Sequence, residues 1–389
     1  MKILCIKIGY IQQILKIEKV KQTIFQKQKE DISMKNKKTI DFTGTNIYIG
    51  IDVHLKSWYV TILHGNVSKQ ISFDSKAESL VNYLEKNYPN GTYKAVYEAG
   101  YFGYGAYEKL TLLGIETIVV NPADIPTTDK EKRNKTDKSD SYKLAIGLKS
   151  GYLTSIYIPN KQSQELRGLV RRREQLIQNQ TRVKNRIKSL LRLNSIDFPN
   201  RFSKSGSHWS RAFITWLKEI EFNTRAGKLT LSSIIREIEF VRQELLEINR
   251  FIKDELSKDE IAENYRKLQN IPGIGKVGAA VLQTEIIEIN RFKTRDDFIS
   301  YLGLCPTEQS SGESRKIGSL TRRCNKRVRM ILIEASWIAI SQDPSLGDFY
   351  NKQCERIGKQ KAIIKVSRKL ASRIRHILLT NEEYETGIA

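Results

Sequence analysis

Four acidic residues stand in contexts that could bring them together. Asp52 closes the apolar run of YIGIDVHLKSW, Glu98 closes that of AVYEAGYFGYG, and Asp137 and Asp140 lie in RNKTDKSDSYKLA. The alternating, β-branched runs before Asp52 and Glu98 predict strands, and the two acids emerge at one rim if those strands are neighbours. Asp137 and Asp140 are three residues apart at the start of a predicted helix, which puts them on one face. Four converging carboxylates repel one another unless a cation sits among them. Mg2+ or Mn2+, which take oxygen ligands, are the natural occupants. Two such ions can activate a nucleophile and stabilise the leaving oxygen of a phosphoryl transfer. Each acid also has an ordinary reading: Asp137 as a helix cap or dipole partner, an acid after a strand as a solvated side chain. The combination favours a site, because acids from two strand ends and one helix sit in a chain that is otherwise basic. His54 is read as a flanking strand position and not as a ligand. With four histidines in the chain, zinc chemistry has little support.

The rest of the chain has the charge of a nucleic-acid partner. Lys and Arg number 66 against 43 Asp and Glu, a formal net charge of +23. That excess points first to nucleic acid and second to an anionic membrane surface. No run of eighteen apolar residues exists, so no segment is expected to span a bilayer. The N-terminal stretch is mildly apolar, but Lys2, Lys7, Lys16 and Lys19 interrupt it and it lacks a small-residue cleavage site, against a signal peptide. Cys5, Cys305, Cys324 and Cys354 are scattered without a CxxC pair, which argues against a zinc ribbon or disulfide framework and fits a reducing cytosol. A cytoplasmic protein facing nucleic acid is expected.

The elements that must position the acids lie in residues 46–150. NIYIGIDV, SWYVTILH and VSKQISF read as three strands. Helix KAESLVNYLEKN, strand YKAVYEA, helix YGAYEKLTLLG, strand IETIVV and helix DKSDSYKLAIGLK follow. Such an order describes an α/β sheet with helices packed on it. Residues 1–44 read as a basic, weakly helical arm, with Met34 inside it as an alternative start. Residues 158–262 read as a helical, coiled-coil region. Leu169, Leu176, Val183 and Leu190 recur at heptad spacing, as do Ile234, Val241 and Ile248, interleaved with Leu231, Ile238, Leu245 and Ile252. Arg173 and Gln180 weaken the first seam, and the two helices could pair with each other or with a second subunit. SIDFPNRFSKSGSHWS between them has the composition of a loop. Residues 265–389 read as a second compact domain, mostly helical and strongly basic.

At these residues the chain resembles the DEDD transposases of the insertion-sequence class numbered one-hundred-and-ten, relatives of the Piv-type DNA invertases. GIDVHLKSWYV, VYEAGYFGYGAYEKL, VVNPADIP and RNKTDKSDSYKLA stand in that family's order with similar spacing, and the likeness covers roughly residues 46–379. The resemblance implies an RNase H-like (RuvC-like) first domain with Asp52, Glu98, Asp137 and Asp140 as its metal-binding acids. LQNIPGIGKVGAAVLQTEI resembles the helix-hairpin-helix signature that opens the family's C-terminal transposase domain. There Gly273 and Gly275 permit a tight turn whose free amides, at the helix starting with Lys276, can meet a phosphate. A helix–helix turn that only packs is the equal alternative. Further on, in FISYLGLCPTEQSSGESRKIGSLTRRCNKRVRM, the family's catalytic serine precedes a glycine and falls on Ser311, before Gly312, with Ser310 adjacent. On residues alone SSG is an ordinary turn. Cys324 stands where relatives usually carry glycine; a loop needing positive φ there would be strained or reshaped.

The reaction this resemblance implies is DNA recombination through a covalent serine–phosphate. Ser311 would attack the scissile phosphate while metal held by the acids neutralises the developing charge. The ester would retain the energy for rejoining without ATP, in agreement with the lack of a P-loop motif. More than 170 residues separate Asp140 from Ser311, so the two domains are expected to meet in a composite site. Arg315, Lys316, Arg322, Arg323, Lys326, Arg327 and Arg329 crowd the segment after Ser311 and are expected to clamp DNA phosphates, the alternative being a solvated helix face. The resemblance further implies a structured noncoding guide RNA, for which the first domain, the arm and residues 163–193 offer basic surface. The heptads suggest a homodimer or homotetramer. Two other readings stand beside this one: a metal-dependent RuvC-like nuclease acting by water, and a non-catalytic DNA-binding protein.

Overall fold

The computed structural model describes residues 41–127, 136–311 and 314–387. They form two compact units that divide between Ile158 and Pro159. The N-terminal arm lies outside the described residues up to position 40.

The first unit is built on five strands. β1 (Asn46–Val53), β2 (Ser57–His64) and β3 (Val67–Asp74) are linked by short turns and pair antiparallel. β4 (Thr92–Glu98) lies parallel to β1 on its other side, and β5 (Glu116–Val120) lies parallel to β4, giving the order β3-β2-β1-β4-β5. The change of direction follows from the connections. A tight turn can only return an antiparallel strand, whereas α1 (Ala77–Asn87) and α2 (Gly105–Leu112) supply the long crossovers that parallel pairs require.

Alternation along the strands assigns the two faces. Ile47, Ile49 and Ile51 of β1, with Val60, Ile62, Ala95 and Tyr97, are buried with Leu80 and Leu84 of α1 and Leu110 of α2. The opposite face carries α3 (Asp137–Ser150), whose Leu144 packs with Val96, Val120 and Ile125. Gly50 and Asp52 alternate with Ile49 and Ile51, and Glu98 with Tyr97. Both acids therefore belong to the face that α3 covers.

The second unit is helical except for one hairpin. α4 (Lys161–Leu193) and α6 (Arg225–Leu256) pack along each other, with α5 (Arg211–Glu219) at their tip. The heptad seams face one another within the chain. α6 buries Leu231, Ile238, Val241, Leu245, Ile248 and Ile252 as expected, with Ile235 in place of the partly exposed Ile234. α4 buries Leu176 and Val183, but Val170 and Leu191 take the places expected for Leu169 and Leu190. A straight helix drifts by about 20° per heptad against a strict seven-residue repeat, so its buried stripe steps sideways over four turns and more. The base of this pair shares its core with α7 (Asp259–Gln269), α8 (Lys276–Ile286), α9 (Arg295–Leu302), α10 (Lys326–Gln342), α11 (Pro344–Ile357) and α12 (Lys359–Thr380). Between α9 and α10 lies the antiparallel hairpin of β6 (Pro306–Ser311) and β7 (Ser314–Leu320). No helix among the described residues is long and apolar enough to cross a membrane.

Candidate metal centre and serine hairpin

The start of α3 is fixed by its own cap and by the sheet beneath it. Thr136 is the N-cap, its hydroxyl accepting the Ser139 N–H at 3.2 Å. Asp137 is therefore not needed for capping and lies with Asp140 in the first turn. Gln70 on β3 donates from Nε2 to the Lys138 carbonyl at 3.1 Å, and the buried hydroxyls of Thr61 and Ser141 meet at 2.8 Å. The close approach depends on Gly50: a Cβ there would stand 2.0 Å from the Ser141 carbonyl oxygen and 2.5 Å from the Ala145 nitrogen. With glycine in the middle of β1, the helix backbone lies directly on the strand, and its first turn reaches the rim that Asp52 occupies.

At that rim Asp52, His54 and Asp137 converge. His54 Nε2 lies 3.3 Å from Asp52 Oδ2 and 3.5 Å from Asp137 Oδ2, and one donor atom from each of the three falls within 4.8 Å of the others. His54 and Asp137 are exposed, while Asp52 is half-buried. Burial raises the Asp52 pKa above its ordinary 3.8; nearby Asp137 and Asp140 act in the same sense, and His54 opposes them. Asp140 has its Oδ2 shielded from solvent. Glu98 ends β4 at the same edge, since Ile51 pairs with Tyr97 in the parallel register, and it is half-buried. Two carboxylates and an imidazole on an open rim, with Asp140 behind them, suit a divalent cation; the carboxylates suit Mg2+ or Mn2+, and the imidazole leans toward Mn2+.

His54 is thus drawn into the cluster, against its reading as a flanking strand position. The turn after β1 folds back, with the His54 N–H donating to the Ser57 carbonyl at 3.1 Å. A histidine two residues beyond a strand-end acid, with a turn immediately following, is the local signal that marks it.

In the second unit, Ser311 is the last residue of β6 and pairs with Ser314 of β7, while Gly312 lies outside the described residues. Arg315 and Lys316 lie in β7. Arg322, Arg323, Lys326 and Arg327 are exposed, and Arg327 pairs with Glu174 of α4. Arg329 is committed within the fold, donating to the carbonyls of Gly303 at 3.2 Å and Thr321 at 2.8 Å. The condition under which Cys324 would be strained is not met, because Cys324 is not among the non-glycine residues with positive φ. Gly303 holds that conformation instead, at φ +67°, and a Cβ on it would stand 2.3 Å from Cys324 Cβ. The cysteine side chain fills space that this glycine leaves.

The two glycines of the helix-hairpin-helix-like turn divide in role. Gly273 has φ +81°, and a Cβ there would stand 2.4 Å from the Ala335 carbonyl oxygen, so its turn is packed against α10. Gly275, the N-cap of α8, has open space around it, and Lys276 is exposed.

Fold and site together define an α/β unit carrying an acidic, metal-type centre, followed by a basic helical unit. Residues 265–351 match the family described as Transposase IS116/IS110/IS902, and residues 49–195 match the transposase family of the IS110 DEDD enzymes. The protein y4qE of Sinorhizobium fredii, named as a transposase, is 29% identical over 241 residues, 62% of this chain and 57% of its own length. A second such protein of that organism, y4rJ, is 26% identical over 357 residues, 83% of this chain and 89% of its own. The transposase for insertion sequence element IS1111A of Coxiella burnetii is 22% identical over 290 residues, 72% of this chain and 76% of its own. The chain belongs to the IS110 family of DEDD transposases.

Proposed function

We propose that this chain is an insertion-sequence recombinase that cuts and rejoins DNA, with Asp52, Glu98, Asp137 and Asp140 holding a divalent cation and Ser311 as the nucleophile. The observation that carries this reading is the convergence of Asp52 and His54, at the end of β1 and in the turn after it, with Asp137, at the start of a helix more than eighty residues further on. The five-stranded order, with three antiparallel strands and two parallel additions, supports an RNase H-like (RuvC-like) catalytic domain over 46–150. A helical region over 158–262 and a C-terminal transposase domain over 265–389 complete the proposed organisation.

When bound, the cation would supply charge neutralisation at the scissile phosphate. The residues themselves perform the rest. Asp52 would hold the ion as a carboxylate, against the burial that favours its neutral form. Asp137 closes the site from α3. Ser311 Oγ forms the bond to phosphorus as the bond to the leaving deoxyribose oxygen breaks; the serine proton passes to solvent or a nearby base, and the leaving oxygen takes up a proton from solvent. Arg322, Arg323 and Lys326 hold backbone phosphates without reading sequence. DNA is the substrate, a structured noncoding RNA is the proposed guide, and the working form is a homodimer or homotetramer acting in the cytoplasm.

The test is a DNA substrate carrying an interrupted strand at the cleavage point, which traps a covalent protein–DNA adduct. An adduct that maps to Ser311 supports the serine mechanism; cleavage without any adduct refutes it and leaves attack by water. Asp52→Ala should abolish cleavage and keep DNA binding. Equal cleavage by Asp52→Ala and wild type would refute the metal site.

A further inference from the structure

The second unit holds a cavity of about 520 Å³ that the chemistry above does not use, where α4, α6, α8 and α10 meet. Its wall is apolar. Ile177 on α4, Val277 on α8 and Met330 on α10 are 38%, 40% and 60% exposed, and all three face it. Clustered exposure of such side chains marks a binding surface more often than a bare one.

The rim is basic. Arg171 and Arg327 are matched by Glu285 and Glu174. That leaves Arg173, Arg250, Lys253 and Lys276 facing Glu334. Arg173 donates from Nε to the neutral Asn249 Oδ1 at 2.6 Å, and burial lowers its pKa. A half-buried guanidinium held by an amide calls for an anion from outside.

We propose that this cavity receives one unpaired, unstacked base of the DNA, with its flanking phosphates on Arg173, Arg250, Lys253 and Lys276. The inference rests on the DNA-cutting reading above and adds a subsite to it. A stacked duplex presents phosphates but hides the faces of its bases, so it would meet the rim and leave the apolar wall uncovered. An unstacked nucleotide joins a flat apolar face to an anion within a few ångströms, which is the pairing of wall and rim seen here. The volume lies within the range of small-ligand clefts, about 300–1,000 Å³. Met330 supplies an adaptable thioether surface for the base face, and the cost of unstacking is least where a base is already unpaired, as at a cut or mismatched junction.

The experiment uses the full chain with EDTA present, so that no strand is cut, and compares a paired duplex with the same duplex carrying one extra unpaired adenine. Fluorescence anisotropy at one fixed salt concentration gives both affinities. Wild type should prefer the bulged duplex by about tenfold, the scale of burying part of one base face against apolar side chains. Met330→Glu and Val277→Glu, both at exposed positions, should each remove the preference and keep binding to the paired duplex. Arg250→Gln should weaken the preference by about threefold. Paired-duplex binding with no preference in wild type would overturn the pocket alone, as would a preference that survives both glutamate variants. A bulged RNA duplex bound as tightly as the DNA would overturn the assignment to DNA. If Met330→Glu instead changed the oligomeric state and not the preference, the occupant would be a second copy and the proposal would fall. Loss of all DNA binding by wild type would overturn the DNA reading itself.

Discussion

Gly50→Ala tests how the metal centre is assembled, because it touches none of the acids. The added methyl would stand 2.0 Å from the Ser141 carbonyl oxygen and 2.5 Å from the Ala145 nitrogen, both helix backbone, where ordinary contact begins at 3.4 Å. No side chain can swing aside, so α3 must retreat by more than an ångström. Asp137 lies one turn before Ser141 and moves with it, opening the 3.5 Å spacing to His54. Ligands on opposite sides of one Mg2+ ion stand only about 4.2 Å apart, from bonds of about 2.1 Å, so a retreat on this scale takes Asp137 out of a shared coordination shell. Overpacking of this kind costs about 1–3 kcal/mol, small enough for the fold to survive. Misplacing a catalytic group by about 1 Å costs about 100-fold in rate. Urea unfolding should show the modest stability loss, and metal-dependent strand cleavage the large activity loss. A Gly50→Ala protein that cleaves at the wild-type rate with an unchanged unfolding midpoint would refute the argument.

Gly168→Ala is the matching control: Gly168 lies exposed inside α4 with nothing within 4 Å of the added methyl. It should stabilise the protein by about 0.5–1 kcal/mol in urea unfolding and leave cleavage unchanged. His54→Ala should weaken Mn2+ binding by about tenfold and Mg2+ binding less, since imidazole suits the softer ion; thermal shift against each metal reads the difference. Glu285 is buried and held bidentate by Arg171 at 2.7 and 2.8 Å and by Asn325 at 2.9 Å. Burial alone would raise its pKa, but the bonds from Arg171 bring it below the ordinary 4.5. A lowered acid stabilises the fold above its unfolded value and loses that contribution as pH falls through its folded value. Glu285→Gln should therefore cost about 3 kcal/mol at neutral pH. The gap from wild type should begin to close only below pH 4.5, which denaturant titrations across acid pH would check.

What could be read in advance divides by the kind of residue. The strands were legible because β-branched alternation and turn residues are local, and NIYIGIDV and SWYVTILH coincide with β1 and β2. Of the four acids singled out because carboxylates at strand and helix ends are unusual in a basic chain, Asp52 and Asp137 meet in one group of possible ligand atoms, with His54, whereas Glu98 and Asp140 are not part of that group. The residues that bring those acids together are small and were silent. Gly50 inside a strand reads as a weak point of the sheet, and nothing near it says that the backbone of α3, some ninety residues on, lies against it. Cys324 carried the opposite lesson. A side chain where relatives carry glycine raised the question of positive φ, yet Cys324 does not adopt it, and its side chain sits in space left by Gly303. His54 was discounted by its type, since a lone histidine beside a strand is commonly just a neighbour, and only the fold-back at Ser57 turns it toward both acids. Chemistry is therefore visible one residue at a time, whereas placement depends on pairs. In this chain the placing partner is repeatedly a glycine whose missing Cβ is occupied by the backbone or side chain of a different element. Substitution at Gly50 should thus separate metal binding from DNA binding more cleanly than substitutions of the acids, which alter charge and position at once.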